Sequence, residues 1–169
     1  MYEEFYKDFK NVLIPFLKPQ KYGRSILENS SFLVSSAFKD KNLHGNGFVA
    51  RLSGSTAEFL EIWLIMNVGI KPFFLNESNE LSLCFKPTLI NWLFDKSGNY
   101  SFNFLSKVRV NYHNKKRKNT FGKNAAKIVK IAFKDINLKP VTINSATIPH
   151  PYSQQVRSRQ IKQIDIYLE

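Results

Sequence analysis

Along the chain the spacing of apolar positions changes character once, near Gly69. Before it, Tyr2, Phe5, Tyr6, Phe9, Val12 and Leu13 recur at intervals that place them on one side of a helix, with Glu3, Glu4 and Asp8 near its positive end. Pro15 is expected to end or kink that helix, and no other periodic face in the first fifty residues matches its aromatic stripe, which therefore calls for a packing partner. Residues Lys18 to Asn46 are polar and irregular, punctuated by Pro19, Gly23 and Gly45 around the short apolar run Phe32-Leu-Val34. Phe48 and Val49 then lead into a second helix. Phe59, Leu60, Ile62, Trp63, Ile65 and Met66 follow helical spacing, Ser55 and Glu58 fit a capping box, and Gly69 supplies the stop.

Beyond Gly69 short apolar runs alternate with turn residues. Phe73 to Leu75, Leu81 to Phe85, Phe102 with Phe104, Val108 with Val110 and Tyr112, Val129 with Ile131 and Phe133, Val141 to Ile143, and Ile164 with Ile166 and Leu168 each read as a strand. Pro87 closes the second of these. About six to eight such strands suit an antiparallel β-sandwich. The fold class expected is thus mixed, α then β: residues 1–69 as a helical part without a core of its own, and residues 70–169 as a β-sandwich.

Composition agrees with a globular chain. Of 169 residues 43% are apolar, fifteen of them Phe, enough for a sizeable core. No apolar run approaches bilayer length and Met1-Tyr-Glu-Glu-Phe5 lacks the basic-then-apolar order of a secretory leader, so no membrane association and a cytoplasmic location are expected. The lone Cys84 reads as a small buried side chain, and neither cysteines nor histidines cluster as a metal site would require. The formal charge is +12 and the pI near 9.8. That charge is mostly diffuse. Only Lys115 to Lys118 form a tight run, between Asn114 and Asn119, where it reads as a solvated loop tip, and nucleic acid is not an expected partner.

Candidate chemistry concentrates where the second helix opens. Arg51-Leu-Ser-Gly-Ser-Thr56 sets a guanidinium, three hydroxyls and a glycine beside the unpaired N–H groups and positive dipole of a helix terminus, which suits an oxyanion. Ser55 and Thr56 read equally as simple caps of a buried helix, and Arg51 as a brace for the loop.

Three segments, Ser25-Ile-Leu-Glu-Asn-Ser-Ser-Phe32, His44-Gly-Asn-Gly-Phe-Val-Ala-Arg-Leu-Ser-Gly-Ser-Thr-Ala-Glu58 and Asn91-Trp-Leu-Phe94, together resemble the C-terminal end of the glycoside hydrolase family 94 phosphorylases. Within that family the chain is most similar to 1,2-β-oligoglucan phosphorylases and more distantly to cellobiose phosphorylase, with support from Val108-Arg-Val-Asn-Tyr-His-Asn114 and Ile164-Asp-Ile-Tyr-Leu168. The resemblance implies that residues 1–69 are the last helices of an (α/α) barrel and 70–169 a C-terminal jelly roll. It implies an inverting phosphorolysis of β-glucan oligosaccharides to α-glucose 1-phosphate, with inorganic phosphate as co-substrate and no cofactor or metal. Ser53 and Gly54 match the family's phosphate-holding hydroxyl-glycine pair. Arg51, Ser55 and Thr56 are further candidates from the residues alone.

The family's proton-donating aspartate precedes the matching region, and none of Asp40, Asp95, Asp135 and Asp165 lies in its motif, so no catalytic residue is assigned. Phosphorolysis by this chain alone is therefore not expected. The implied partner is the upstream part of a split phosphorylase or a further copy of the chain. Glu28 and Asn29 are candidates for the sugar cleft, or else order the irregular segment through side chain to backbone hydrogen bonds. His44, His113 and His150 read as surface or loop residues, Trp63 as core, and Trp92 as either a sugar platform or a packing residue. The alternative functions are a non-catalytic carbohydrate-binding or structural β-sandwich and, third, a basic RNA-binding module.

Overall fold

The structure, a computed structural model, describes residues 1–13, 20, 23, 29–51 and 54–169, with the backbone course alone at 11–13, 29–32, 49–51, 54–57 and 59. The chain forms two compact units, Met1–Ile62 and Trp63–Glu169.

In the first unit α1 (Tyr2–Leu13) follows the expected stripe. Tyr6 and Phe9 are buried, and the rings of Phe5, Tyr6 and Phe9 pack on one another with centroids 5.2–6.3 Å apart. Part of the stripe is thus covered within this chain, while Tyr2 stays 51% exposed; Pro15 lies outside the described residues. The stretch read as irregular holds a hairpin instead, β1 (Asn29–Leu33) with β2 (Gly47–Arg51). Single-residue alternation is absent from Asn29-Ser-Ser-Phe-Leu33, so nothing in its pattern announced a strand.

α2 (Gly54–Asn67) is mostly apolar, with Glu58 and Glu61 exposed, and its continuation ends where Gly69 turns left-handed at φ +116°. A Cβ at Gly69 would lie 3.2 Å from the Lys86 side chain. Trp63, expected in the core, is 37% exposed.

The second unit contains eight strands: β3 (Phe73–Leu75), β4 (Leu81–Cys84), β5 (Asn99–Phe104), β6 (Val108–His113), β7 (Ile128–Lys134), β8 (Pro140–Ile143), β9 (Thr147–Ile148) and β10 (Gln163–Leu168). A short helix, α3 (Tyr152–Arg157), which the sequence reading did not anticipate, precedes β10. The strands form a three-stranded sheet ordered β3-β4-β9 and a five-stranded sheet ordered β5-β6-β10-β7-β8. Both sheets are antiparallel except where β10 lies parallel to β6. This departs from the expected all-antiparallel pairing. The reason is topological: β10 inserts between β6 and β7, which are themselves antiparallel in sense, so it must match one and oppose the other.

Leu83 and Ile148 from one sheet, Phe85 just beyond β4, and Val110, Tyr112, Ile131, Ile164 and Ile166 from the other sheet are wholly or almost wholly buried in a single apolar cluster. Each large side chain of this kind stabilises the fold by about 1.5–3 kcal/mol. One expected inward residue fails. Val129 is 40% exposed, because the pairing of β10 with β7 slips between Tyr167 and Leu168 and sets Ile128, not Val129, opposite Leu168. Cys84 is half-buried rather than fully enclosed.

Four loops of this unit repeat one device. Asn76, Asp95, Asn114 and Asp135 each accept, at the main-chain carbonyl, the N–H of the residue three positions on, at 2.8–3.0 Å. Each also accepts the N–H of the residue four positions on at its side chain, at 2.8–3.2 Å. The third residue is left-handed in every case: Asn79, Gly98, Arg117 and Leu138. An Asn or Asp opens each loop because its short side chain mimics a backbone acceptor.

Candidate anion site at the mouth of α2

The antiparallel register of β1 and β2 sets Asn29 opposite Arg51, Phe32 opposite Phe48 and Leu33 opposite Gly47. Directly opposed residues in such a ladder have Cα atoms about 4.5–5.5 Å apart. The hairpin connection is closed by Val34 N–H donating to Asn46 O (3.1 Å) and Gly45 N–H donating to Val34 O (2.9 Å). Gly45 is left-handed at φ +84°. Asp40 Oδ1 caps a 3₁₀ turn over Lys41–Leu43 by accepting Asn42 N–H at 2.9 Å. His44 Nε2 lies 2.7 Å from the Phe38 carbonyl, which can only accept, so this nitrogen carries the proton. His44 thereby closes the hairpin loop.

α2 begins at Gly54, three residues beyond Arg51 at the end of β2. The N–H groups of its first turn have no acceptor within the helix, and the aligned peptide dipoles make this end positive. The hairpin thus sets Asn29 opposite Arg51, and Gly54, Ser55 and Thr56 follow Arg51 closely in sequence. Ser53 and Glu28 lie outside the described residues. Sequence reasoning treated Asn29 as belonging to a separate motif; the strand pairing that joins it to Arg51 has no local signature.

The four aspartates weighed above as acids are committed elsewhere. Asp40, Asp95 and Asp135 cap their own loops. Asp165 belongs to a polar row on the face of the five-stranded sheet that points away from the core. Asn99, Asn111, His113, Gln163, Asp165 and Tyr167 occupy alternate positions of β5, β6 and β10 there. His113 Nε2 lies 2.9 Å from Asp165 Oδ1, and its Nδ1 lies 2.9 Å from Asn99 Oδ1. Asn111 and Gln163 donate to the two Asp165 oxygens at 3.0 and 2.8 Å. The His113 ring stacks on Tyr167 at 4.8 Å, and Lys130 Nζ sits 4.0 Å above the same ring.

Burial works to raise the Asp165 pKa, but the hydrogen bonds from His113, Gln163 and Asn111 and the attraction of His113 outweigh it and hold it below its ordinary value. Both His113 ring nitrogens and both Asp165 oxygens have partners within the row, and among the described residues no Ser, Thr or Cys stands in hydrogen-bond contact with His113 to serve as a nucleophile. The row braces three strands. His113 was expected at the surface or in a loop; it is a strand residue, visible in retrospect as one of the outward positions alternating with Val108, Val110 and Tyr112.

A second polar cluster is internal. The Tyr112 hydroxyl, fully buried, donates to the Asn67 carbonyl at 2.6 Å, and burial pushes its pKa well above the ordinary tyrosine value. Burial also raises Tyr100 to about 12, opposed by the Asn67 side chain. Asn67 Oδ1 and the Tyr100 hydroxyl nevertheless lack a partner of good hydrogen-bond geometry. This cluster fastens the C-terminal end of α2 to the sheet.

Among the described residues no three His, Cys, Asp or Glu side chains converge as metal ligands, and no helix is long and apolar enough to cross a membrane. No protein-family model matches the chain, and no curated protein matches it.

Proposed function

We propose that this chain is the C-terminal portion of an inverting glycoside phosphorylase that degrades β-glucan oligosaccharides with inorganic phosphate in the cytoplasm. On this reading residues 1–69 are terminal helices of an (α/α) barrel and residues 70–169 a jelly-roll module. The observation that carries it is the hairpin register: Asn29 faces Arg51 just before Gly54 opens a fourteen-residue helix. On this reading a candidate sugar-contacting residue and the candidate phosphate residues belong to one site, which the pairing of Asn29 with Arg51 supports.

In the reaction, a phosphate oxygen attacks the anomeric carbon as the glycosidic C–O bond breaks on the opposite face, and an acid protonates the departing oxygen. Ser53 and Gly54, with Arg51, Ser55 and Thr56, hold the phosphate in line through helix-terminus N–H groups, hydroxyls and a guanidinium. The acid comes from polypeptide outside this chain, either the upstream part of a split enzyme or another copy.

Titration of the isotopically labelled chain with inorganic phosphate tests the reading. Saturable displacement of the Gly54, Ser55 and Thr56 amide resonances, weakened by Ser53→Ala, is expected; unmoved resonances at these positions overturn it. Incubated alone with a β-1,2-linked glucan oligomer and phosphate, the chain is expected to release no α-glucose 1-phosphate. Robust release refutes the assignment of the acid to other polypeptide.

A non-catalytic β module is the second reading, favoured by one observation: among the described residues the buried members of the main apolar cluster all fall within 68–168. That reading predicts no phosphate response.

A further inference from the structure

The turn between β7 and β8 differs in chemistry from its three sister turns. After Asn76, Asp95 and Asn114 the next three residues are polar, charged or glycine, whereas Asp135 is followed by Ile136, Asn137 and Leu138. Ile136 is 49% and Leu138 74% exposed. Leu138 takes the left-handed position at φ +61°, which Asn79 and Gly98 fill in two of the sister turns and which an aliphatic side chain enters only at a steric cost. Two aliphatic side chains thus protrude from a hairpin tip where strain and exposure both disfavour them.

The strand register shows what surrounds that tip. Phe133 lies opposite Ile164 and Arg109 opposite Gln163, so the β7–β8 turn, the β5–β6 turn and the segment leading into β10 emerge at one end of the five-stranded sheet. Arg109 N–H donates to the Lys162 carbonyl at 2.8 Å, and Lys162 Nζ to the Arg159 carbonyl at 3.1 Å. Gln155 of α3 accepts the Ile136 N–H at 3.2 Å. These elements carry Lys107, Lys134, Lys139, Arg157, Arg159 and Lys162, all exposed, and none pairs with a carboxylate among the described residues. Three acidic groups adjoin them. Asp135 is occupied with the N–H groups of Asn137 and Lys139, and the β3–β4 turn, reached through the Ser153 hydroxyl on the Leu81 carbonyl (2.6 Å), carries Glu77 and Glu80, the latter 3.8 Å from His150.

We propose that this end of the second unit docks on an anionic membrane surface, with Leu138 and Ile136 entering the headgroup region and the six cations facing the lipid anions. Charge complementarity favours that occupant, since six cations against three acids meet a negative leaflet. The size of the apolar contact favours it too: two side chains on a convex tip are a small fraction of the roughly 800 Å² that each partner contributes to a stable protein interface. A bilayer needs no matching pocket, and it adds apolar contact to attraction by the surrounding cations. The sequence expectation of no membrane association rested on the lack of a spanning segment, and peripheral docking needs none.

The test is co-sedimentation of the full chain with vesicles of phosphatidylcholine carrying about a third phosphatidylserine, beside vesicles of phosphatidylcholine alone. Sedimentation with the anionic vesicles only is expected. Leu138→Asn, which suits the left-handed backbone, weakens it about tenfold, and Ile136→Ser about fivefold. Lys134→Gln combined with Lys139→Gln weakens it about twenty-five-fold, each cation accounting for about fivefold. Urea unfolding followed by tryptophan fluorescence checks that the variants remain folded. No sedimentation with the anionic vesicles overturns the proposal, as does equal sedimentation with both vesicle types. Undiminished binding in the double lysine variant overturns it as well. So does wild-type affinity in both Leu138→Asn and Ile136→Ser, which would mark a surface read by charge alone and equally open to nucleic acid or an acidic protein.

Discussion

Gly98 and Gly122 form a matched pair for separating two costs of adding a methyl group. Both are left-handed, at φ +78° and +87°. A Cβ on Gly122 meets nothing within 4 Å, whereas one on Gly98 meets the Asn114 carbonyl oxygen at 2.3 Å, its carbon at 2.8 Å and Lys115 Cα at 3.0 Å. Gly122→Ala therefore isolates the conformational penalty, about 1–2 kcal/mol. Gly98→Ala carries the same penalty and also forces apart two backbones, because none of the three obstructing atoms can rotate away as a side-chain end would. Separating them sacrifices the Asn114 N–H to Gly98 O hydrogen bond, about 1 kcal/mol net, and loosens the buried Asn114 around which the loop is built. The total for Gly98→Ala is expected at about 3–5 kcal/mol, some 2–3 kcal/mol beyond Gly122→Ala. Both tryptophans, Trp63 and Trp92, lie in the second unit, so their fluorescence reports its unfolding in urea. Two alanine variants agreeing within about 0.5 kcal/mol would show that the close approach of Gly98 to Asn114 has no energetic weight.

Other substitutions test other parts of the fold. Tyr112→Phe deletes the hydroxyl that satisfies the Asn67 carbonyl in a fully buried setting, and is expected to lower the free energy of urea unfolding by about 1–3 kcal/mol. Ile164→Ala, in the middle strand of the five-stranded sheet, should cost about 2–5 kcal/mol by the same measurement. Because the Asp165 pKa is depressed in the folded protein, its ionised form adds stability above the unfolded value of about 3.9, and that stability is lost as pH falls through the lower folded value. Asp165→Asn should accordingly flatten the acid limb of a plot of urea midpoint against pH. Ser106, left-handed at φ +65° in the three-residue turn joining β5 to β6, is expected to yield about 0.5–1 kcal/mol of added stability as Ser106→Gly, the relieved strain exceeding glycine's extra entropy in the unfolded chain.

The strands of the five-stranded sheet were legible because it has one wetter and one buried face, so Val108, Val110 and Tyr112 or Ile164, Ile166 and Leu168 announce themselves by period. What period cannot express is partnership. Nothing in Gln163–Leu168 says that it runs parallel to β6, and nothing in Val129 says that a slip in register turns it outward. The hairpin of the first unit escaped notice for a different reason: Asn29-Ser-Ser is too polar to read as strand, and its pairing is fixed across a loop by Asp40, His44 and Gly45. The second helix was legible through its apolar spacing and the glycine that stops it, though it begins at Gly54, one residue ahead of the expected Ser55 cap, and the pairing of Asn29 with Arg51 was not legible. The His113–Asp165 row went unseen because its members are scattered over three strands and meet only when β10 is in place.

That placement has a consequence for biosynthesis. β10 is made after every other strand of its sheet, yet it occupies the middle position and joins β5-β6 to β7-β8. A nascent chain interrupted before Gln163 holds two separate hairpins, each with an apolar edge that β10 should have filled. Premature termination therefore yields an aggregation-prone product for quality control to remove rather than a slightly shortened protein, and assembly of the larger sheet becomes an internal check that translation has reached this strand.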